Sequence, residues 1–528
     1  MTTVTRIAGI SVYDETPLIE AALIKPSDDG YLFAHALIRE AILQTVLRND
    51  FRTLHKAAAR WFAKVDRRLY AQHLAAAVDP EAPEAFLEVA GEARDRFQRE
   101  EALRFADAGL ACAPDTPVKG ALLRIRGDAL RDSGRSEASI TCFEGARDCA
   151  QTPRDICQAE IGIVSAMRIL DRIDEAYGVL DRAQGLAEEH TLVSELSTIH
   201  YLRGSLHFPR GDLDGCEAEH AKSLDYAQRA DLPRRQALAL SGLGDAAYAK
   251  GRMFTAHGVI EQCLALCKEH GLGDVESANL FMLATAKIYM NETESALDYA
   301  LRSADLAAKL GMHRPEIVSR LTAGWILTSM ARFEEARFQI QSGLELAGQI
   351  GARRFEPFLE ETLARIAFYD SDTSAAAETA ETALQKLRDM GAETFIGPWV
   401  MSTVALTTPD ATRRRDVLAE AEALLAKGCV GHNYFRYYRN AMQACLNAEE
   451  YAEAARFADA LEAYAAAEPT PWSDFHVART RAILDVAQGR AGAEILEEIR
   501  RRARAAALFN AEPGPLETGT AQTIFHET

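Results

Sequence analysis

Proline and the short motifs of common enzyme classes are scarce or absent in this 528-residue sequence. Only 17 residues are proline, and together with abundant alanine, leucine, glutamate and arginine this favours helix throughout. We find no G-x-x-x-x-G-K-[ST] loop to cradle phosphates, and no kinase set, G-x-S-x-G or H-E-x-x-H motif. We therefore expect no enzyme activity and no cofactor, and in particular neither binding nor hydrolysis of ATP.

Positive charge and long apolar runs are also in short supply. The formal charge of −19 argues against a nucleic-acid partner, because phosphate contacts need a basic face. We expect the short arginine runs at 412–416 and 499–505 to be solvated or paired with nearby glutamates. No apolar stretch is long enough to span a bilayer, and the first residues lack a signal-peptide pattern. These absences predict a cytoplasmic protein without a membrane partner.

Cysteine and histidine show no metal-binding pattern. The nine cysteines have no paired short spacing, which is typical of reduced thiols in a reducing compartment. The nearest approach to a metal cluster, His200, His207, Cys216 and His220, spans two predicted helices without a ligand motif. We expect these four side chains to be packing or surface positions, with no metal bound.

Internal repetition is the strongest positive signal. Six similar segments each start 40 residues after the one before: AEEHTL (187), AQRADL (227), CKEHGL (267), AAKLGM (307), AGQIGA (347) and LRDMGA (387). Within this period three columns, separated by 12 and 7 residues, hold small side chains. The columns are Gly204, Gly244, Ala284, Gly324, Ala364; then Cys216, Ala256, Ala296, Ala336, Ala376; then Ser223, Cys263, Ser303, Gly343, Ala383.

Such columns mark places where two antiparallel helices cross closely, because a larger side chain would push the axes apart. The spacing resembles the tetratricopeptide repeat. The period of 40 exceeds that family's 34 residues, and the family's terminal proline is missing, which implies longer helices. HEAT-like repeats also run near 40 residues but do not predict the three small columns. Between the first two columns we expect a turn at Gly211, Gly251 and Asn291.

Weaker copies of the pattern extend the array in both directions to about ten helical hairpins. One hairpin, at 394–427, looks degenerate because LTTPDATRRRD interrupts it. The predicted fold is an all-α, right-handed α-solenoid of tetratricopeptide-like repeats over residues 63–508. Residues 509–528, rich in proline, glycine and threonine, are predicted to form a flexible tail.

The segment 31–62, YLFAHALIREAILQTVLRNDFRTLHKAAARWF, reads as a strand followed by amphipathic helices. It resembles the end of the winged-helix part of bacterial AAA/STAND signal-transduction ATPases, which are often fused to class III adenylate or guanylate cyclases. The chain departs from that family at Ala34, where arginine is common. The matching residues are Phe33, His35, Ala36, Leu37, Ile38, Glu40, Ala41, Leu54 and His55.

This resemblance implies a partial winged-helix segment over residues 1–62, followed by a repeat array. We expect a short helix at 18–24, a turn at 28–30 and a strand at 31–35, with His35 in a structural corner. In the family a nucleotide-binding domain precedes this segment, and the sequence contains none.

A solenoid exposes a concave surface lined by the first helix of each repeat, so binding is the expected function. Aromatic side chains mixed with single charges suit a protein, a peptide or a small ligand. Trp325 and Arg365 occupy one column in adjacent repeats and are expected to emerge side by side; the alternative is that such aromatics form inter-repeat core. The predicted groove residues are Tyr201, Asp245, Phe281, Trp325 and Arg365.

We therefore predict a non-catalytic interaction or sensing scaffold, the regulatory C-terminal half of an ATPase-type signalling protein. The alternative is a C-terminal fragment of a nucleotide cyclase or a transcriptional regulator. Its catalytic or DNA-binding part would then lie on another chain.

Overall fold

The computed structural model describes residues 2–10, 12–27, 30–96, 98–170 and 172–513. It divides into two compact units, Met1–Ile199 (unit 1) and His200–Thr528 (unit 2). Helices account for most of the described residues, and the strands there are confined to one hairpin. The fold is all-α, as the sequence predicts. No helix in the described ranges has both the length and the apolar character needed to cross a bilayer.

Unit 1 begins with short elements around the β-hairpin. These are α1 (Thr2–Ala8), α2 (Thr16–Glu20), β1 (Ile24–Ser27), β2 (Gly30–Phe33), α3 (Ala36–Thr45) and α4 (Arg48–Phe62). The strands pair antiparallel, with Ile24 opposite Phe33. His35 caps α3, since its Nδ1 accepts a hydrogen bond from the Leu37 amide at 3.3 Å.

The element boundaries here differ from those predicted. The helix expected at 18–24 starts earlier and ends at Glu20, because Pro17 suits a first turn and Ala22 has a positive φ of 52°. Ile24 then starts a strand. The second strand ends at Phe33, two residues before the predicted end. Asp28 and Asp29 of the predicted turn lie outside the described residues.

The rest of unit 1 consists of antiparallel helical hairpins. Its helices are α5 (Arg67–Ala76), α6 (Ala82–Asp95), α7 (Arg99–Ala111), α8 (Thr116–Asp132), α9 (Ser136–Asp148), α10 (Pro153–Ile169) and α11 (Ile173–Glu189), with α12 (Val193–His207) crossing into unit 2. Phe143 of α9 packs against Gly127 of α8 and Gly162 of α10, where any Cβ would overlap its ring. Glycine therefore lets three helices share one aromatic side chain.

Unit 2 continues the hairpins in a regular series. Its helices are α13 (Leu213–Arg229), α14 (Pro233–Ala249), α15 (Met253–His270), α16 (Gly273–Tyr289), α17 (Thr293–Lys309), α18 (His313–Ser329), α19 (Phe333–Gln349), α20 (Glu356–Tyr369), α21 (Thr373–Asp389), α22 (Glu393–Thr407), α23 (Ala411–Leu425), α24 (Gly431–Asn447), α25 (Tyr451–Ala465), α26 (Pro471–Ala487) and α27 (Glu494–Ala505). The hairpin that looked degenerate, α22 with α23, is formed like the others.

Each 40-residue repeat consists of two equal halves. In the central repeats both helices have 17 residues, and the short link after each contains a residue with positive φ. The links within repeats place Gly211, Gly251, Asn291, Ala331 and Ser371 in this conformation, and the links between repeats place Asp231, Gly271, Gly311, Gly351 and Gly391 there. The left-handed residue terminates each helix and reverses the chain.

The three small-residue columns lie at the predicted helix crossings. All fifteen side chains or glycines are buried. A Cβ on Gly244 would overlap Ile260 of the following helix, and one on Gly324 would overlap Ile340 in the same way. The hydroxyl of Ser303, in the third column, lies 2.7 Å from that of Ser319 on α18, so this polar pair is satisfied inside the packed interior.

The first helices of successive repeats lie side by side in each unit and form what we call the inner face. In unit 1 this face is built by α6, α8 and α10. In unit 2 the row runs from α14 through α16, α18, α20 and α22, and then turns back, so that α24 packs against α14 and α26 against α16. A short 3-10 turn, Phe509–Ala511, also packs against α18. Of the predicted tail at 509–528, residues 514–528 lie outside the described residues.

Candidate functional site

An open groove lies on the inner face of unit 1. It has a volume of about 560 Å³ and is bordered by side chains from α5, α6, α8 and α10. Six of its bordering residues are charged, three of each sign. The border comprises Arg67, Leu87, Glu88, Gly91, Glu92, Arg94, Asp95, Ala121, Arg124, Ile125 and Gln158.

The groove charges are held in local pairs. Arg67 Nη2 lies 3.0 Å from Glu88 Oε2, and Arg124 Nη1 lies 3.3 Å from Asp155 Oδ1. Gly91 occupies the groove side of α6, and a Cβ there would meet no atom within 4 Å. The groove therefore has free volume next to charged groups that are already oriented.

The inner face of unit 2 is covered by its own later helices. A Cβ on Gly431, the first residue of α24, would lie 2.6 Å from both the Gly251 nitrogen and the Tyr248 carbonyl oxygen. Only glycine allows α24 to begin so close to the end of α14. The ring of Tyr289 at the end of α16 lies 4.8 Å from that of Phe435 and 5.3 Å from that of Trp472.

His432 connects three helices of this covered face. Its Nε2 lies 3.0 Å from the Phe395 carbonyl oxygen, and its Nδ1 lies 3.1 Å from the Tyr248 hydroxyl. Since a carbonyl only accepts, Nε2 carries the proton, and Nδ1 accepts from Tyr248. Burial, with a smaller repulsion from Arg436, lowers the pKa of His432 to about 4. The imidazole is therefore neutral near pH 7.

Beneath α24 lies a cluster of buried charged and aromatic side chains, which we call the arginine cluster. Its members are Tyr289, Trp325, Glu361, Arg365, Trp399 and Arg436, all of them buried. Arg365 Nε lies 2.7 Å from Glu361 Oε1 within α20, and Thr403 Oγ1 donates to the same carboxylate oxygen at 2.7 Å. The Arg436 guanidinium carbon lies 3.0 Å from the centre of the Trp325 ring and 4.7 Å from that of Trp399.

The five predicted groove residues are not brought together in one site. Tyr201, Asp245 and Phe281 are half-buried. The Tyr201 ring lies 5.4 Å from that of His220, and burial raises the pKa of the Asp245 carboxyl to about 6. Phe281 packs beside Met282 and Leu283.

Trp325 and Arg365 do not emerge on an open groove, which corrects that expectation. Their exposed fractions are 6% and 2%, because α24 covers the face on which they stand. A ligand role for the five residues stays a prediction. The sequence pattern did not single out Arg436 or Trp399. Asn433, Arg436 and Asn440 recur along α24 at helical spacing, and such a polar stripe is more typical of a solvent-facing surface.

The histidines near the start of unit 2 pack against, or hydrogen-bond to, neighbouring helices. His200 Nδ1 lies 2.7 Å from Glu219 Oε2, and Lys222 Nζ donates to Glu219 Oε1 at 2.8 Å. The His220 ring fills the space beside Gly204 and Gly242, and burial lowers its pKa to about 4. No group of three or more His, Cys, Asp or Glu side chains suited to a metal ion occurs in the described residues.

Comparisons with known proteins identify the fold. No protein-family model matches the chain, and no curated protein matches it. Among solved structures, a STAND signal-transduction ATPase with a tetratricopeptide repeat sensor, from Pyrococcus horikoshii, shares 13% identity at a TM-score of 0.50. The match covers 74% of this chain and 61% of that protein, so the chain spans less than two thirds of its length.

Two further solved structures are also similar. A Rap protein complexed with competence and sporulation factor shares 11% identity at a TM-score of 0.48, covering 70% of this chain and 99% of that one. The quorum sensor NprR from B. thuringiensis shares 13% identity at a TM-score of 0.41, covering 59% and 92%. With the helical geometry above, the ATPase match shows that the chain is a tetratricopeptide-like α-solenoid.

Proposed function

We propose that the chain is a non-catalytic scaffold that binds a protein or peptide partner in the inner groove of unit 1. One observation supports this choice of site. The inner face of unit 1 keeps a groove of about 560 Å³, whereas the inner face of unit 2 is covered by α24 and α26. The concave face of a repeat array is its usual binding surface.

The groove lining favours an extended peptide that carries charges of both signs. Three arginines, Arg67, Arg94 and Arg124, border the groove together with the three carboxylates of Glu88, Glu92 and Asp95. A peptide with charges of both signs could pair with groove side chains of either sign, whereas a uniformly acidic or basic peptide would also meet like charges. Because these groups are near solvent, the affinity should fall as salt is raised.

A regulatory role in an ATPase-type signalling system is the finer part of the proposal. Residues 31–62 resemble the segment that joins a winged helix to repeats in such ATPases. The P. horikoshii protein carries its tetratricopeptide repeats as a sensor. By this analogy the groove would report the presence of a partner to an ATPase.

The test fills the groove without disturbing the fold. Gly91→Trp places a large side chain in the open volume, and replacing a helical glycine does not cost helix propensity. Gly185→Trp is the matched control, because Gly185 lies on α11, outside the groove, and a Cβ there also meets nothing within 4 Å. Each full-length variant is used to capture partners from cells that express the protein, and affinities are then measured with the captured partner.

We expect the wild type and Gly185→Trp to bind the partner equally, and Gly91→Trp to lose at least tenfold in affinity with an unchanged melting temperature. A partner that binds all three proteins alike would place its site outside the groove and contradict the proposal.

A further inference from the structure

The interior of unit 2 carries more positive charge than its own carboxylates balance. Four arginines lie beneath or within the covering helices: Arg365, Arg436 and Arg479 are buried, and Arg439 is half-buried. Of these four arginines, only Arg365 has a carboxylate at ion-pair distance among the described residues, namely that of Glu361. Arg439 donates instead to the Asn440 side chain, and Arg479 donates to the Ala511 carbonyl.

The arginine cluster also presents donors without acceptors. In the described part of the chain, Nε and Nη2 of Arg436, Nη2 of Arg365 and Nε1 of Trp399 are all buried and lack a hydrogen-bond partner. The exposed fractions of Arg365 and Arg436 are only 2% and 3%. These four groups are N–H donors, and a guanidinium has no acceptor to offer. The Tyr289 hydroxyl, which can donate or accept, is also buried there without a partner among the described residues.

The pKa values of Arg436 and His476 also reflect burial of positive charge in and around the cluster. Burial lowers the pKa of Arg436 to about 9, and this effect outweighs the opposing influence of Tyr289 and Glu361; repulsion from Arg365 lowers the pKa further. Burial and the charges of Arg439, Arg479 and Arg436 also hold the pKa of His476 well below its usual range. A buried charge without a partner is costly, and a bound counter-charge would offset that cost.

We propose that the arginine cluster is a binding site for a small oxyanion, a carboxylate or a phosphate, held by Arg365 and Arg436. An oxyanion is acceptor-only and matches the fork geometry of guanidinium groups. The rings of Trp325 and Trp399 flank the Arg436 guanidinium and keep it from solvent. This site is separate from the groove of unit 1, and either can exist without the other.

Binding at this site would stabilise the closed arrangement of unit 2. Arg365 belongs to α20 and Arg436 to α24, so one anion would link the inner face to the helix that covers it. Because the cluster is enclosed, the anion can enter only when α24 separates from that face. Association should therefore be slow compared with a diffusion-limited encounter.

The experiment measures binding of three probes, inorganic phosphate, citrate and acetate, to the full chain in low-chloride buffer. Calorimetry gives the affinity, thermal melting gives the stabilisation, and tryptophan fluorescence reports on the four tryptophans of the chain, of which Trp325 and Trp399 flank Arg436. Arg436→Met removes the proposed anchor. Arg481→Met is the matched control, because Arg481 is an exposed arginine paired with Asp459 and Glu462.

For the wild type and Arg481→Met we expect saturable binding of at least one probe, a raised melting temperature and a change in fluorescence. For Arg436→Met we expect the affinity to fall at least a hundredfold, while melting without anion is unchanged or raised because an unpaired buried charge is gone. Arg436→Lys, which keeps the charge but not the fork, should bind at least tenfold more weakly than the wild type.

Two results would overturn the proposal. One is the absence of saturable binding of all three probes by the folded wild type, which would mean that Arg436 serves only to pack between the indoles. The other is equal binding by the wild type and Arg436→Met, or by the wild type and Arg436→Lys should Arg436→Met fail to fold. The anion would then sit elsewhere.

Discussion

At the scale of single residues, the small-residue columns set the distance between helices. Gly244 of α14 has no side chain because Ile260 of α15 occupies that space. Two repeats later, Ile340 likewise occupies the space beside Gly324. A column that holds only glycine or alanine at a crossing therefore records a steric limit, which is why it could be recognised from the sequence alone.

Gly244→Leu should destabilise unit 2 by about 1–3 kcal/mol, because the new side chain must displace Ile260 or separate the helices. The measurement is chemical denaturation followed by circular dichroism. Gly258→Leu is the control, since Gly258 lies on the adjoining α15 and a Cβ there meets nothing within 4 Å. Equal denaturation midpoints for the two variants would show that the crossing tolerates large side chains.

The burial of Trp325 and Arg365 could not be predicted from the sequence pattern around them. Both stand on the face of a first helix that points away from the second helix of its own repeat. Repeat patterns place a residue on this face correctly, but whether the face is open depends on helices that occur much later in the chain, such as α24 (Gly431–Asn447). Trp325 and Arg365 stand on the same face of successive first helices, as predicted, but α24 covers that face and buries both side chains.

At the scale of elements, the 40-residue unit is built from two helices of equal length, each followed by a three-residue link. The sequence predicted the period and the turn at Gly211, Gly251 and Asn291. It did not reveal that Ala331 and Ser371 adopt the same positive φ, because neither residue type favours that conformation. The repeat framework imposes the turn even where the local sequence is unfavourable.

One helix of the array is capped by a residue far away in sequence. The start of α15 has no side-chain cap of its own. Instead Glu468, in the link before α26, accepts from the amides of Phe254 at 2.6 Å and Thr255 at 3.1 Å. Its other oxygen accepts from the Thr255 hydroxyl at 2.6 Å. A carboxylate at this position satisfies free amides and complements the positive end of the helix dipole.

Glu468→Ala should cost about 1 kcal/mol and should increase hydrogen exchange at Phe254 and Thr255 before other amides of α15. Glu462→Ala is a suitable comparison, because Glu462 is an exposed carboxylate of the same hairpin that pairs with Arg481. If exchange at Phe254 and Thr255 is the same in both variants, Glu468 does not act as a cap in solution.

At the scale of the whole molecule, the repeat class and the α-helical fold followed from periodicity, but the covered inner face of unit 2 did not. Each contact that covers it joins residues far apart in sequence, such as Tyr248 with His432 and Thr293 with the carbonyl of Ala506. Periodicity describes neighbouring repeats and contains no information on where the row of first helices turns back. The arginine cluster and the difference between the two inner faces were therefore visible only in three dimensions.

The covering of this face should depend on pH through His432. The histidine is neutral in the folded chain, where its pKa is about 4, whereas in the unfolded chain it takes up a proton below a pKa of about 6.5. Between these values the unfolded state binds more protons, so acid favours unfolding. The contribution at pH 5 is roughly 2 kcal/mol relative to pH 8.

His432→Gln tests this because glutamine does not titrate. At pH 8 the variant should be less stable than the wild type, since it loses the bridge between Tyr248 and the Phe395 carbonyl. As the pH falls to 5, the stability of the wild type should approach that of the variant by roughly 2 kcal/mol. Contributions from His220 and Asp245 are present in both proteins and cancel in the difference. If the stability difference between the wild type and His432→Gln stays constant from pH 8 to 5, His432 is exposed to solvent rather than buried between α14, α22 and α24.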